Sequence, residues 1–268
     1  MTTSIPSLGI VELSLAALLL VASAGISIVL RLGLERTIAI AAVRMVAQLS
    51  LVGLVLTFVF QQTSPLWTAL VALVMVAVAG FEVGQRQGPR FRGWWTEGLG
   101  TLALLVVGGF ASIFAAGGIM HTTPWYQPQV LIPVLGMILG NTLTGVSLAL
   151  STLVDLASRE ARSIEARLAL GATRFEALSE VVRAALRTAM LPILNSLAVA
   201  GVVSLPGMMT GQILAGQAPA EAARYQIMIL FVISGAAGLG ALVAAFAGVW
   251  KLTDERHRLR IDRLDGRA

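Results

Sequence analysis

Long apolar runs separated by short polar segments form the basic pattern of this chain. A helix that crosses a lipid bilayer needs about 20 mostly apolar residues. Stretches of this kind occur at positions 8–30, 38–60, 66–84, 98–120, 130–153, 188–205 and 226–250. The pattern therefore predicts an all-α, polytopic integral membrane protein with about seven transmembrane helices.

The charges of the connecting segments predict the orientation of these spans. Arginines follow the first, third, fifth and seventh spans, whereas QQTSP and HTTPWYQP, after the second and fourth, contain no Lys or Arg. Of the 19 Lys and Arg residues, only Arg44 and Arg224 fall elsewhere. Because cytoplasmic loops carry an excess of positive charge, we expect the N-terminus outside and a basic tail, 251–268, in the cytoplasm.

Composition supports a single membrane domain, 1–268, in the inner membrane of the cell. Hydrophobic residues make up 57% of the chain and charged residues 12%, with a mean hydropathy of +0.85, whereas soluble domains carry roughly 25% charged residues. The high pI, about 10.9, does not indicate that the protein binds nucleic acid. The basic residues lie between apolar spans, where they can contact anionic lipid headgroups. The N-terminal segment lacks a basic region, so we expect no signal peptide. The absence of cysteine excludes disulfides and thiolate metal sites.

Small and polar residues form a stripe along the fifth predicted span. Its members recur at steps of three or four and are Gly136, Gly140, Thr144, Ser147 and Ser151, with Asn141 beside them. The last predicted span carries a similar stripe, which consists of Ser234, Gly238, Ala241, Ala245 and Gly248. Such stripes allow close helix packing; alternatively, the stripe with Asn141 lines a solute path.

The segment between the fifth and sixth spans, 155–187, predicts a pair of short amphipathic helices. Gly171 supplies a helix stop, and Thr173 with Glu176 forms a Thr-x-x-Glu capping box that starts the second helix. Apolar faces are expected at Ala157, Ala161, Ile164 and Leu168, and at Phe175, Leu178, Val182 and Ala185. The pair either docks on a partner protein or lies in the headgroup layer.

The stretch SLPGMMTGQILAGQAP, 204–219, follows the sixth predicted span. Pro206 cannot donate a helical hydrogen bond and Gly207 permits a turn, so we expect a helix break here that forms either a flexible outer gate or a tight re-entrant turn. Met208 and Met209 offer thioethers, which suit Cu(I) better than Fe(II) and also fill irregular gaps in cores.

A charge inside a span is a functional hypothesis by default. Arg44 lies within the second span, with Gln48 one turn farther along, and Glu82 in the third span is the nearest candidate partner by depth. Either Arg44 and Glu82 form a structural ion pair that holds the second and third spans together, with Gln48 nearby, or the three residues belong to the transport path or its gate.

No dedicated metal cage is visible in the sequence. His121 and His257 are isolated and expected to be solvated, and Glu221 with Arg224 predicts an i,i+3 surface pair. Weak oxygen sites suit a path that must release its cargo. Metal ligands therefore stay unassigned, and no catalytic residue is expected.

One stretch of the 155–187 segment resembles a known motif. Glu165-Ala166-Arg167-Leu168-Ala169-Leu170-Gly171 is similar to the EAA-x-x-x-G coupling motif of ABC transporter permeases. Arg167 replaces the usual third residue, and Leu191-Pro192 lies farther on than in importers. The resemblance implies that Glu165, Ala166, Arg167 and Gly171, with Thr173 and Phe175, couple the chain to a separate ATP-hydrolysing subunit. The chain has one lysine and no phosphate-binding Gly-Lys-Ser/Thr loop, so ATP and magnesium would bind that partner.

The family resemblance extends over most of the chain. SLPGMMTGQILAGQAPAEAARYQIMI, IPVLGMILGN, LALGAT, and Arg44 with Gln48 resemble the iron-export permease family of ABC transporters, relatives of the plant permease of aluminium tolerance. The resemblance implies a permease that pairs with a second copy of itself and with two ATP-binding subunits, and that exports a metal ion, with iron expected. Alternatives are an ABC permease for another solute such as a sugar nucleotide, an ion-coupled secondary transporter, or a scaffold that only recruits a cytosolic protein.

Overall fold

The computed structural model describes residues 9–62, 64–87 and 90–265. Within these residues, seven helices are long and apolar enough to cross a membrane. They are α1 (Ile10–Val29), α2 (Glu35–Gln61), α3 (Pro65–Gln85), α4 (Trp95–Ile119), α5 (Pro128–Arg159), α8 (Ser179–Val199) and α10 (Pro219–Leu252). The predicted all-α, polytopic membrane fold is confirmed.

Shorter elements complete the described chain. Between α5 and α8 lie α6 (Ala161–Ala169) and the one-turn α7 (Arg174–Ala177). Helix α9 (Gly207–Leu214) precedes α10. The two-residue strands β1 (Arg90–Phe91) and β2 (Leu264–Asp265) pair antiparallel, with a 3₁₀ turn at Ile261–Arg263 before β2. Two turns of α4, Leu104–Gly108 and Phe114–Ile119, are π-helical.

The chain divides into two compact units. The first contains α1 and α2, which form a helical hairpin closed by a polar contact. The buried Ser27 hydroxyl donates to Glu35 (3.1 Å) and accepts from the Leu34 N–H (3.0 Å). Ser27, near the end of α1, thus forms hydrogen bonds with two groups at the start of α2, which stabilises the turn between the helices.

The second unit contains α3 to α8, most of α9, and α10. Its central pair is α5 and α10, which pack along much of their length. A Cβ atom at Gly145 would lie 3.1 Å from the Ala237 carbonyl oxygen, and Gly248 packs against Leu153. Close packing therefore uses small residues. It does so partly outside the predicted stripes, since Gly145 and Ala237 belong to neither of them, whereas Gly140, a stripe member, has open space around it.

The sixth span begins and ends earlier than predicted. The apolar run indicated 188–205, whereas α8 covers Ser179–Val199. Its first two turns carry Glu180 and Arg183, which lower the local hydropathy, but Val181 and Ala185 on the opposite face are buried. A search for continuous apolar runs therefore misses the amphipathic first turns of α8.

Most arginines of the second unit lie at one of its ends, which we call the basic end. The basic end consists of the last turns of α5 and α10, the first turns of α8, the segment 160–178 and the tail 253–265. Its core joins sequence-distant side chains, all buried: Phe91, Leu153, Ile164, Leu178, Leu252 and Leu264. Since β2 of the tail pairs with β1, the tail is an integral part of this core.

Candidate functional site

Helix α6, which carries most of the Glu165–Gly171 motif, has a well-defined C-terminal end. Gly171 has φ +93°, a left-handed conformation that glycine adopts without strain. Its N–H donates to the Leu168 carbonyl (3.0 Å) and the Ala172 N–H donates to the Arg167 carbonyl (3.1 Å). These two bonds are the Schellman pattern, and the predicted stop at Gly171 is confirmed.

A capping box starts the next turn, as predicted. The Thr173 hydroxyl accepts from the Glu176 N–H (3.4 Å), and the Glu176 carboxylate accepts from the Thr173 N–H (2.7 Å). The hydrogen bonds from the Thr173 backbone and side chain hold the pKa of Glu176 below its usual value. The resulting turn is rigidly joined to the end of α6.

The predicted second amphipathic helix, running from Thr173 to Arg187, is wrong in extent. Helix α7 ends after one turn, and the residues from Ser179 onward already belong to α8. The chain bends at Leu178, whose carbonyl accepts from the Val182 N–H at 2.9 Å. The α6–α7 segment therefore connects directly to a membrane-crossing helix.

The apolar faces of this segment are covered by the chain itself. Ile164 and Leu178 are buried in the core of the basic end. Phe175 packs on α10, with ring centroids 5.5 Å from Phe246 and 6.2 Å from Trp250. These faces are not available to lipid headgroups, which counts against that interpretation.

The opposite face of α6 is open to solvent. Glu165, Ala166 and Arg167 are exposed, and Leu170 at the end of the helix is 89% exposed. Helix α6 thus presents the charged Glu165 and Arg167 and the apolar Leu170 on one exposed face, while its other face packs in the core of the basic end. Exposed apolar and charged side chains together on one face are typical of a protein contact surface.

The tail contributes contacts that the sequence did not indicate. His257, expected to be solvated, accepts the backbone N–H of Arg174 at Nδ1 (3.2 Å). Arg263 donates through Nη1 to the carbonyls of Lys251 (2.8 Å) and Thr253 (3.2 Å) at the end of α10. The tail thus ties α7 to α10, a connection between distant residues that periodicity cannot reveal.

A cavity of about 270 Å³ lies among α5, the end of α8 and α10; we call it the polar cavity for three polar side chains in an otherwise apolar lining. Asn141, Ser196 and Ser204 supply its polar side chains, and Pro206 also lines it. The Asn141 amide nitrogen donates to the Met137 carbonyl (2.9 Å) and the Ser196 hydroxyl to the Pro192 carbonyl (3.0 Å). Both donations leave the side-chain oxygens available as acceptors.

The wall of this cavity contains the turn that ends α8. Gly201 has φ +85°, and its N–H donates to the Ser204 carbonyl at 2.8 Å. The predicted break at Pro206-Gly207 is therefore misplaced: the chain turns at Gly201 because glycine allows the left-handed conformation, and Gly207 begins α9.

The other predicted path residues are not among those that line this cavity. Met208 packs against an apolar core cluster, and Met209 is half-buried. The Thr144 hydroxyl donates to the Gly140 carbonyl on its own helix, at 3.1 Å. Arg44 and Gln48 lie one turn apart on α2, and Glu82 is half-buried on α3. Their roles stay predictions.

Two further predictions concern the charged and metal-ligating groups. The Glu221–Arg224 pair is confirmed, at 2.8 Å. Across residues 9–62, 64–87 and 90–265, no three His, Asp or Glu side chains cluster closely enough to hold a metal ion.

The fold, with its seven apolar helices, defines a multi-pass α-helical membrane protein. Residues 10–252 match the family described as "Uncharacterised protein family (UPF0014)". The chain belongs to this family.

Several relatives carry informative names. The chain is 32% identical over 253 residues to the "Probable iron export permease protein FetB" of Escherichia coli (strain K12), covering 94% of this chain and 95% of the relative. It is 34% identical over 215 residues to "Protein ALUMINUM SENSITIVE 3" of Arabidopsis thaliana, covering 80% and 77%. A "UPF0014 membrane protein" of Synechocystis is 40% identical over 193 residues, covering 71% and 73%. No solved structure matches the chain. The family thus includes a membrane permease.

Proposed function

We propose that the chain is the permease subunit of an ATP-driven ABC transporter that exports a metal ion, with iron as the first candidate. In this proposal two copies of the chain pair in the membrane, and each basic end faces the cytoplasm and docks one ATP-binding subunit. The observation that carries the proposal is the exposed face of α6, held on the core of the basic end. The name of the FetB relative supports metal export and iron.

The exposed face of α6 suits an ATP-binding partner for a mechanical reason. Leu170 and Ala166 offer apolar contact area, while Glu165 and Arg167 add charges that fix the orientation. Because α6 continues through Gly171 and α7 into α8, a displacement of the partner would move a membrane-crossing helix. Rigid transmission of this kind couples ATP-driven closure to a change in the membrane.

The polar cavity is the proposed site of passage. Carboxylate, carbonyl and hydroxyl oxygens suit harder divalent cations, whereas thioethers suit Cu(I). Asn141, Ser196 and Ser204 offer neutral oxygens, which would bind such a cation weakly and release it readily. The turn at Gly201, which forms one wall, is a natural place for a gate.

Copurification and transport together test the proposal. The chain is purified from its native membrane and any bound P-loop ATPase is identified; the pair is then placed in vesicles, and ATP-dependent movement of Fe²⁺ is measured. A bound ATPase and ATP-dependent flux support the proposal. Flux without ATP would indicate a secondary transporter, and binding without flux a scaffold.

A further inference from the structure

A second cavity, of about 650 Å³, lies at the basic end beside the last turn of α10. Its volume is within the range of small-molecule sites. Four arginines and two acidic residues line it, so positive charge is in excess: Arg174, Arg256, Arg258 and Arg263, with Asp254 and Glu255.

Two of these arginines are already engaged within the chain. Arg258 pairs with Asp254 at 2.8 Å, and the Asp254 carboxylate also accepts the backbone N–H groups of Arg256 and Arg258. Arg263 donates to backbone carbonyls at the end of α10. In the part of the chain that the structure describes, the guanidinium groups of Arg174 and Arg256 have no carboxylate partner, so they supply the cavity's spare donors.

The position of the cavity along α10 sets its depth in the membrane. The Arg174 guanidinium lies 4.5 Å from the centroid of the exposed Trp250 ring. One residue farther, the Lys251 ammonium lies 3.4 Å from the centroid of Trp95. Tryptophans beside cations at the end of an apolar span are typical of the headgroup level. The cavity therefore opens where lipid phosphates lie.

We propose that this cavity binds the headgroup of an anionic phospholipid, with its phosphate held by Arg174 and Arg256. Arginine recognises phosphate through paired N–H donors, and stacking on Trp250 holds the Arg174 fork in place. The occupant is a lipid and not a free phosphate, because the exposed Trp250 lines the cavity and Phe246, one turn earlier on α10, is also exposed, so acyl chains can lie along this apolar surface. The proposal does not depend on which solute the protein moves.

Native mass spectrometry of the detergent-purified chain tests this site. Phosphatidylglycerol, phosphatidylcholine and inorganic phosphate are titrated separately onto the wild type, Arg174→Ala, Arg256→Ala and Arg256→Glu. The control is Arg183→Ala, which removes the same charge from an arginine paired with Glu180 outside the cavity. Arg256→Ala keeps the test valid even if Arg174→Ala loosens α7, since within the described residues the Arg256 side chain is exposed and forms no hydrogen bond or ion pair.

The expected result is one phosphatidylglycerol bound more tightly than phosphatidylcholine. An arginine near an anionic surface is worth about 1 kcal/mol, so each alanine variant should bind it about fivefold more weakly, Arg256→Glu more weakly still, and the control unchanged. Equal binding by variants and control overturns the proposal, as does saturation by inorganic phosphate at the affinity of the lipid.

Discussion

The backbone N–H of Arg174 donates to Nδ1 of His257, 83 residues later in the chain, at 3.2 Å. This hydrogen bond joins the tail to α7, the one-turn helix between α6 and α8. Together with Arg263 at the end of α10 and the pairing of β2 with β1, it makes the basic end a single packed body. A force applied to α6 is therefore shared by several membrane-crossing helices.

His257→Ala should loosen this body locally. The variant removes the acceptor for Arg174, and a hydrogen bond of this type contributes about 1 kcal/mol. We expect the Arg174 amide to exchange with solvent about fivefold faster, as measured by hydrogen exchange. His257→Asn is the control, because asparagine tolerates the left-handed backbone and keeps an acceptor at a similar position. Unchanged exchange in His257→Ala would contradict the assignment.

Gly171→Pro should abolish ATPase activity linked to transport without removing the protein from the membrane. Proline cannot adopt the φ of +93°, and it removes the N–H that bonds to Leu168. Gly171→Ala is the milder control, since a Cβ there meets no other atom and costs about 1 kcal/mol in backbone strain. The measurement is ATP hydrolysis by the assembled transporter; a normal rate in the proline variant would count against the coupling role.

Asn141→Leu should impair transport while leaving membrane insertion intact. The substitution removes an oxygen from the polar cavity, and a contact to a charged ion is worth about 1.5–3 kcal/mol, so metal efflux should fall by about tenfold or more. Asn195→Leu, one residue from Ser196 but outside the cavity lining, serves as the matched control. Equal efflux by the two variants would exclude the cavity as the path.

Acid should loosen the turn of the tail at Arg260–Asp262 in a defined pH range. Hydrogen bonds from Arg260 to Asp262, both 2.8 Å, lower the pKa of this carboxyl to about 2 from its usual 3.8. Because the folded pKa lies below the unfolded one, the stabilisation is complete above about pH 3.8 and is lost as the pH falls through about 2. Pepsin cleavage within 253–265, normalised to a free peptide of that sequence, should accelerate over this range.

Asp262→Asn provides the control for that titration. The amide has no negative charge to lose, so the acceleration due to Asp262 should be absent from this variant; any that is left comes from Asp254, whose pKa is also lowered, by hydrogen bonds from Arg258. A wild-type rate that is independent of pH would show that the Arg260–Asp262 pair does not hold the tail.

Local signals in the sequence predicted the parts of this structure that depend on neighbouring residues. The seven apolar runs, the stop at Gly171 and the capping box at Thr173 all involve residues within one helix or turn. The start of α8 was missed because Glu180 and Arg183 interrupt its apolar run. The contacts of His257, and of Leu264 with β1, join residues far apart in the chain, so no periodicity reports them. The turn at Gly201 was misplaced because Pro206 is the stronger local breaker.

ATP-driven iron efflux with a charge reversal at Glu165 tests the central claim most directly. Glu165 is exposed on α6, so Glu165→Lys should leave the fold intact while opposing the docking of an ATP-binding subunit. In vesicles containing the chain and its copurified ATPase, the account predicts ATP-dependent Fe²⁺ movement in the wild type and its loss in Glu165→Lys, with equal amounts of both proteins in the membrane. Equal ATP-dependent movement in the two would contradict it.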